Sequence, residues 1–257
     1  HNWEILGRKA IFINENLEEF LKQNQEKFDL VYLDPARRDE HKNKKFLLKD
    51  LSPNLLEIQE KLKEISDEII IKLSPLIDIS YLISALENIS KIEIIAVKNE
   101  VKELLVFINS NIKTENIEIK NINLESDDAE FSFHFNDEKK AVSEFSEPLK
   151  YLYIPNNSVL KSGAFNSVSE KFGLKKLHPN THFYTKDSKL ENFSGRVLKV
   201  EIIDSKQIRK GHKFNIISKN HPLTPDEIRK KYKISDGGNQ YLIFTQTEKG
   251  KVIMKSV

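Results

Sequence analysis

A short apolar run that ends in an aspartate and a proline constrains the fold more than any other feature. Residues 28–33 read Phe-Asp-Leu-Val-Tyr-Leu. The run is too short for a helix and is typical of a buried strand in an α/β sheet. Pro35 cannot continue a strand ladder, and it restricts Asp34 to an extended conformation. Because ligands bind at the carboxyl ends of strands in open α/β sheets, we expect Asp34 to lie at a functional edge.

Two arginines follow this strand end. Arg37 and Arg38 carry guanidinium groups suited to phosphate contact, although they could also pair with neighbouring acids or remain solvated. Asp34 has an alternative role as a cap of the next loop. Residues 38–49 are polar and rich in lysine, and their length suits a lid or a partner-contact loop.

Periodicity predicts alternating strands and helices in the first half of the chain. We expect strands at residues 9–13, 28–33, 68–73, 92–97 and 103–108, and helices at 17–23 and 79–86. Ser52 and Pro53 suggest a further helix start, as N-cap and first helical residue. The alternation favours a mostly parallel sheet. Only a few residues join the last two strands, so these must be antiparallel neighbours.

The second half has shorter strands and fewer helices. Residues 117–124 and 130–135 alternate in polarity and predict a hairpin, followed by a polar linker at 139–148. We then expect strands at 149–154, 181–185, 196–203, 213–218, 240–245 and 252–255, helices at 157–172 and 224–232, and a turn at Gly237-Gly238.

Charge divides unevenly between the two halves. Residues 1–150 carry 21 Lys and Arg against 30 Asp and Glu, a net charge of −9, and residues 151–257 carry 20 against 9, a net charge of +11. A basic half beside an acidic half is typical of a module that binds a polyanion, although the lysines could simply be solvated. The candidate contacts in this half are Lys213, Lys219, Arg229, Lys230 and Lys231.

The composition argues against several other classes of protein. There is no cysteine, so disulfides and thiolate metal sites are excluded, and a reducing cytoplasm is the expected location. The histidines in the basic half are scattered, and we therefore expect no metal site. No run approaches the roughly 20 apolar residues of a membrane helix.

Residues 34–37, Asp-Pro-Ala-Arg, resemble the Asp-Pro-Pro-aromatic signature of class I S-adenosylmethionine-dependent methyltransferases. Further segments point to one bacterial family that joins such a methyltransferase to a ferredoxin-like unit and a C-terminal THUMP-like domain. These segments are Ser74-Pro75, the Pro-Asn-Asn to Lys-Ser-Gly-Ala-Phe run at 155–165, Ser-Lys-Asn-His-Pro-Leu at 218–223, and Gly-Gly-Asn-Gln-Tyr-Leu at 237–242.

The resemblance implies a fold and a domain order. It implies an α/β chain with a partial Rossmann-like sheet, mostly parallel with an antiparallel last strand, followed by a smaller α+β region. The domains would be a methyltransferase portion at 1–145, a ferredoxin-like unit at 146–192 and a THUMP-like domain at 193–257.

The resemblance also implies roles for individual residues. Asp34 and Pro35 would position a target amino group beside the cofactor S-adenosylmethionine, and Asn14, Glu15 and Asn16 would end the preceding strand near the adenine. Arg37, Arg38, Ser74 and the five basic residues of the second half would contact a structured RNA, either ribosomal or transfer RNA.

One departure from the family pattern affects cofactor binding. The Gly-rich turn after the first strand, and the acid that ends the second, are absent from these 257 residues. We therefore expect an RNA methyltransferase fragment without its cofactor loop, with further residues upstream. The alternative is a non-catalytic RNA-binding module that retains the fold. Ala36 and Arg37 replace the usual second proline and aromatic residue, which leaves the methylated atom open.

Overall fold

The structure is a computed structural model that describes residues 5–7, 9–37, 47–112 and 115–257. Contacts divide the chain into two compact units. One contains the chain up to Ser90 and the strand end that begins at Val106, and the other contains Lys91–Leu105 and Glu115–Val257. The boundary passes through the two strands of one hairpin.

In its described residues, the first unit holds three helices, a short 3₁₀ turn, two strands of the first sheet and a separate two-stranded ladder. They are α1 (Leu17–Gln23), β1 (Val31–Leu33), β2 (Ala36–Arg37), the 3₁₀ turn (Leu48–Asp50), β3 (Leu51–Ser52), α2 (Leu55–Ile65), β4 (Glu68–Leu73) and α3 (Ile79–Ala85). Strands β1 and β4 belong to the first sheet, and β2 and β3 form the ladder. Helix α2 forms because Leu55, Ile58, Leu62 and Ile65 recur at helical spacing, and all four are buried.

Six strands form the first sheet, in the order β1-β4-β6-β5-β7-β8. The additional strands are β5 (Ile89–Val97), β6 (Glu100–Asn109), β7 (Glu118–Leu124) and β8 (Phe131–His134). Pairs β1–β4 and β5–β7 are parallel, whereas β7–β8 is antiparallel. Strand β6 runs against β4, because Ser110 at its end donates its amide to the carbonyl of Asp67 at the start of β4. The predicted mixed sheet, with its antiparallel strand after residue 100, is confirmed.

Two predictions in the first unit are wrong. Residues 9–13 form no strand, and Ile11 is 90% exposed, because no ladder partner lies beside this segment in the described part of the chain. Helix α2 begins at Leu55 rather than at Pro53. Asn54 is its N-cap, accepting a 3.2 Å hydrogen bond from the Leu56 amide, while Ser52 belongs to β3.

Seven strands of the second unit form another sheet, in the order β10-β11-β9-β12-β15-β14-β13. They are β9 (Tyr151–Pro155), β10 (Lys175–His178), β11 (Thr181–Lys186), β12 (Gly195–Ile202), β13 (Lys213–Ser218), β14 (Ser235–Thr247) and β15 (Gly250–Ser256). The helices of this unit are α4 (Phe135–Glu138), α5 (Asn157–Ser162), α6 (Phe165–Phe172) and α7 (Pro225–Tyr232), and Ser205–Gln207 form a 3₁₀ turn. Helix α7 begins as predicted, with a capping box between Thr224 and Glu227.

Details of the second unit differ from the prediction. The helix predicted at 157–172 is two helices, because Gly163 adopts a left-handed conformation at φ 76°. Gly237 and Gly238 lie inside β14, where the register with β13 shifts, and the hairpin turn comes later, between Thr247 and Gly250.

Residues 139–148 are not a free linker. The backbone of Lys176 in β10 accepts a hydrogen bond from Ser146 and donates one to Glu144, at 2.9 and 2.8 Å, so the segment lies along a strand of the second sheet. Ala141 is buried within the same segment. The polar composition of this segment predicted a linker and gave no indication of these backbone contacts.

Candidate functional site

Asp34 lies immediately after β1, at the carboxyl end of the strand, as the sequence predicts. Its carboxylate forms an ion pair with the ammonium of Lys72 on the neighbouring strand β4. Parallel register explains the pairing, because Leu33 lies opposite Ile71 and the next residue on each strand is a member of the pair. The Asp34 side chain is 52% exposed and that of Lys72 is 32% exposed, so a ligand can reach both.

Sequence reasoning missed Lys72. The available signal was a lysine in the apolar run Ile69-Ile70-Ile71-Lys72-Leu73, one residue before the strand end. A charge at that position is costly unless it is paired or solvated. The pair makes the strand edge a zwitterionic surface, with one hydrogen-bond acceptor group and one donor group side by side.

Ser74 follows β4 at the same edge of the sheet. Its hydroxyl oxygen accepts a hydrogen bond from the Leu76 amide at 3.3 Å, and its carbonyl accepts one from Ile77 at 3.2 Å. The serine therefore shapes the turn that follows the strand. Its hydroxyl proton is a donor that these two hydrogen bonds do not use.

Pro35 ends β1 and redirects the chain. The next two residues, Ala36 and Arg37, pair with Ser52 and Leu51 in a short antiparallel ladder. This pairing fixes the backbone that leaves Asp34. Arg37 contributes its backbone to the ladder, while its side chain and the whole of Arg38 lie outside the described residues, as does most of the predicted lysine-rich loop.

Asn14, Glu15 and Asn16 are exposed and precede α1. The carbonyl of Asn16 accepts hydrogen bonds from Glu19 and Phe20, at 3.1 and 3.0 Å, while its side chain makes no capping bond. Asn16 thus starts the helix through its backbone. Within the described part of the chain, no hydrogen bond joins these three residues to Asp34, and their proposed adenine contact stays a prediction.

The basic candidates of the second unit are not equivalent. Lys213, Lys219, Lys230 and Lys231 are exposed. Arg229 instead pairs with the carboxylates of Asp226 and Asp236, the latter at 3.3 Å. Its charge is largely neutralised within the protein, so we expect the lysines to contribute more of the positive potential.

A second group of titratable residues surrounds His182. Its ring stacks on Phe165 with centroids 3.5 Å apart, and its Nδ1 atom is buried without a hydrogen-bond partner. Burial, together with the charges of Lys176 and Lys219, lowers the pKa of His182 to about 4. Lys176 is itself buried, donates to the carbonyl of Pro179 at 3.2 Å, and has its pKa lowered by burial. His182 is therefore neutral at pH 7.

Metal ligation and base stacking receive no support from these residues. The described residues contain no group of three His, Asp or Glu side chains that could hold a metal ion. Tyr184, which follows His182 on β11, is fully buried and donates its hydroxyl to the Phe165 carbonyl at 2.8 Å, so its ring is not accessible for stacking on a base. It belongs to the core.

Helices long and apolar enough to cross a membrane are absent from the described residues.

Comparisons with known proteins identify two domains and one structural neighbour. Residues 151–193 match a family described as a ferredoxin-like domain, and residues 195–255 match one described as THUMP domain-like. The fold is similar to the crystal structure of a "putative methyltransferase from Porphyromonas gingivalis W83", with a TM-score of 0.78 and 31% sequence identity. The alignment covers 88% of this chain and 58% of that one. Curated proteins gave no match.

Proposed function

We propose that this chain is the target-side and RNA-binding part of an S-adenosylmethionine-dependent RNA methyltransferase. Its ferredoxin-like and THUMP-like matches, and its similarity to a putative methyltransferase, support this proposal. The observation that carries the proposal is the position of Asp34 and Pro35 at the carboxyl end of a parallel strand. The THUMP-like match supports RNA as the substrate class.

Asp34 contributes by positioning the target. A methyl acceptor nitrogen must present its lone pair to the methyl donor, and a carboxylate that accepts an N–H hydrogen bond fixes that orientation. Pro35 ends the strand, so Asp34 lies at the exposed end of β1 rather than inside a ladder. Lys72 pairs with the Asp34 carboxylate and holds it in place as an acceptor.

The residues present fit the cofactor only in part. S-adenosylmethionine supplies an activated methyl group when it is bound. Asn14, Glu15 and Asn16 offer amide and carboxylate groups for an adenine, but Gly7 is the only glycine before Gly163, so no Gly-rich turn exists to hold the remainder. We assign that turn to a segment of a longer protein, in keeping with the 58% coverage of the structural neighbour.

The basic half would hold the RNA. Lys213 begins β13 and Lys219 follows its end, while Lys230 and Lys231 lie on α7. Exposed lysines bind phosphates without reading sequence, which suits recognition of a structured RNA by shape.

A non-catalytic RNA-binding module is the second candidate function. The pairing of Asp34 with Lys72 favours it, because an internal cation occupies the carboxylate that a substrate amine would use. Both candidates share RNA binding and differ only in methyl transfer.

RNA binding is tested by a salt series with charge-reversed variants. Filter binding of transfer RNA and ribosomal RNA fragments should weaken as salt rises, because bound lysines displace counterions. The double variant Lys230→Glu/Lys231→Glu should lower affinity and reduce the salt slope by about 1–2. The matched control, Lys27→Glu/Lys61→Glu in the acidic half, should change neither. Binding that is independent of salt, or equal loss in both variants, would contradict the proposal.

A further inference from the structure

The second unit contains a polar cavity that the proposed function does not use. It has a volume of about 310 Å³ and is open to solvent. This volume lies at the lower end of the roughly 300–1,000 Å³ typical of small-ligand pockets. Its lining comes from four separate segments: the β5–β6 turn, the β7–β8 connection, the end of β9 and the start of β12. Pro155 and Asn156 of the Pro-Asn-Asn motif form part of the wall.

Hydrogen bonds between asparagine residues join several of these segments. Asn99 lies in the β5–β6 turn at φ 66°, and its amide donates to the Asn123 side chain at 2.8 Å. Asn157 donates its amide and its side-chain nitrogen to the Asn99 side chain and carbonyl, both at 2.6 Å. Such bonds between distant turns fix the cavity walls before any ligand arrives.

Asp128 is the acceptor that completes this network. One carboxylate oxygen, Oδ2, accepts hydrogen bonds from the side chains of Asn123 and Asn156, at 2.7 and 3.0 Å. The network does not use the second oxygen, Oδ1. A carboxylate oxygen in a cavity wall favours a ligand that donates hydrogen bonds, such as a pair of ribose hydroxyls.

Arg196, at the start of β12, supplies positive charge to the cavity lining. Its guanidinium lies 4.6 Å from the centroid of the Tyr241 ring, and no carboxylate pairs with it among the described residues. The other cation of the lining, Lys98, already pairs with Glu125 at 2.9 Å. A guanidinium that rests over an aromatic ring keeps N–H donors that can bind a phosphate.

Gly195 shows how closely the backbone approaches the cavity wall. A Cβ atom at this position would lie 2.2 Å from the Ile154 carbonyl oxygen and 2.7 Å from the Asn156 amide nitrogen. Only glycine permits β12 to start this close to the end of β9, and this contact brings Arg196 to the cavity.

We propose that this cavity binds one ribonucleotide unit, with Asp128 accepting from the ribose hydroxyls and Arg196 contacting the phosphate. The ribonucleotide could come from the RNA substrate or from a free mononucleotide. The first source rests on the proposed RNA-binding function, and the second does not. In either case the site selects ribose over deoxyribose, because only ribose offers the 2′-hydroxyl.

The test uses the whole chain with a single-stranded 12-nucleotide RNA and the DNA of identical sequence, measured by fluorescence anisotropy. We expect RNA to bind about five- to tenfold more tightly than DNA, the range of one hydrogen bond. In Asp128→Asn, the side-chain oxygen can still accept from both asparagines, while a donor replaces the free acceptor. This variant should therefore keep the fold and lose most of the preference for RNA.

Matched variants separate the cavity from general charge effects. Asp127→Asn, at the neighbouring exposed position, should keep the preference for RNA. Arg196→Ala should weaken RNA and DNA alike by about tenfold, as expected for a charged hydrogen bond, whereas Arg209→Ala should have little effect. An unchanged RNA-to-DNA ratio in Asp128→Asn, with wild-type affinity in Arg196→Ala, would overturn the inference.

A titration with adenosine monophosphate, followed by nuclear magnetic resonance, distinguishes the two sources. Shifts of the Asp128 and Arg196 amides in a chain that binds no RNA would support the cavity with a free mononucleotide and refute the proposed RNA-binding function. RNA binding that is insensitive to both cavity variants, without nucleotide-induced shifts, would refute the cavity alone.

Discussion

Strands β1 and β9 each lead to a candidate binding site, but their surroundings differ. Strand β9 is central, paired with β11 on one side and β12 on the other, and its Leu152 and Tyr153 are fully buried. Strand β1, which ends just before Asp34, is the terminal strand of its sheet within the described residues and has β4 as its neighbour. Tyr32 in its middle is 54% exposed, and Leu30 just before it is 50% exposed.

The burial of β9 indicates a stable region. The exposed strand β1, in contrast, leads to Asp34, which carries a candidate functional group. A buried strand that is paired on both sides exchanges its amide protons slowly, whereas an exposed strand opens at lower free energy. Within the described residues, we therefore expect the surroundings of β9 to be more stable than those of β1.

The largest expected effect on stability comes from removing a buried aromatic ring of the second sheet. Removing an exposed aromatic ring of β1 provides the comparison. Phe244→Ala deletes a side chain that is 1% exposed in the core of the second sheet, and should lower the free energy of unfolding by about 3–5 kcal/mol. Tyr32→Ala on β1 should cost less than about 1 kcal/mol. Urea titrations of both variants measure the two losses of unfolding free energy. Equal losses would contradict the expected difference in stability between the two regions.

Acid should weaken the second unit through His182. Its pKa is about 4 in the folded protein and 6.5 in the unfolded chain, so the unfolded chain binds more protons between these values. The free energy of unfolding should therefore fall as pH falls from 6.5 to 4, by on the order of 1–3 kcal/mol.

His182→Gln should flatten that pH dependence, while the exposed control His212→Gln should retain it. Thermal unfolding across the pH range checks the expectation. A wild-type profile as flat as that of His182→Gln would show that the buried ring does not control acid stability.

The smallest change in stability is expected at the strand edge itself. Asp34→Asn removes one charge of an exposed ion pair, which typically contributes about 0–1 kcal/mol. The melting temperature should shift by no more than about 2–4 °C, an upper limit for a multi-unit chain of this size. A larger loss would mark Asp34 as a structural cap, the alternative that its sequence context allowed.

Hydrophobic periodicity predicted most of the fold, since α2, α7 and the strands of the first sheet bury residues at regular spacing. Pro35 likewise located Asp34 at a strand end, because the ring forbids continuation of the ladder. Lys72 could not be paired with Asp34 in advance, since the pairing depends on the register of two strands separated by α2. The cavity depended on contacts such as Asn99 with Asn157, which are 58 residues apart in the sequence.

The prediction also failed where local signals conflicted. Ser52-Pro53 matched a helix start, but pairing of β3 with β2 used Ser52, and Asn54 became the cap. Residues 9–13 had strand-forming side chains, but none of the described strands pairs with them. In both cases tertiary contacts, or their absence, outweighed local propensity.

The affinity of this chain for S-adenosylmethionine tests whether it holds only the target side of the pocket. Calorimetric titration of this chain with S-adenosylmethionine should show no saturation in the micromolar range, because the glycine-dependent part of the pocket is absent from the sequence. Saturable binding would show that the described residues suffice for the cofactor.

The central claim is that Asp34 directs methyl transfer to an RNA bound by the basic half. We would measure transfer of labelled methyl groups from S-adenosylmethionine to RNA by a protein that includes both this chain and the proposed Gly-rich turn, and compare wild type with Asp34→Asn. We expect incorporation to fall at least about 100-fold, as for loss of a positioning group, while RNA affinity and melting temperature stay near wild type. Undiminished incorporation by Asp34→Asn would contradict the account.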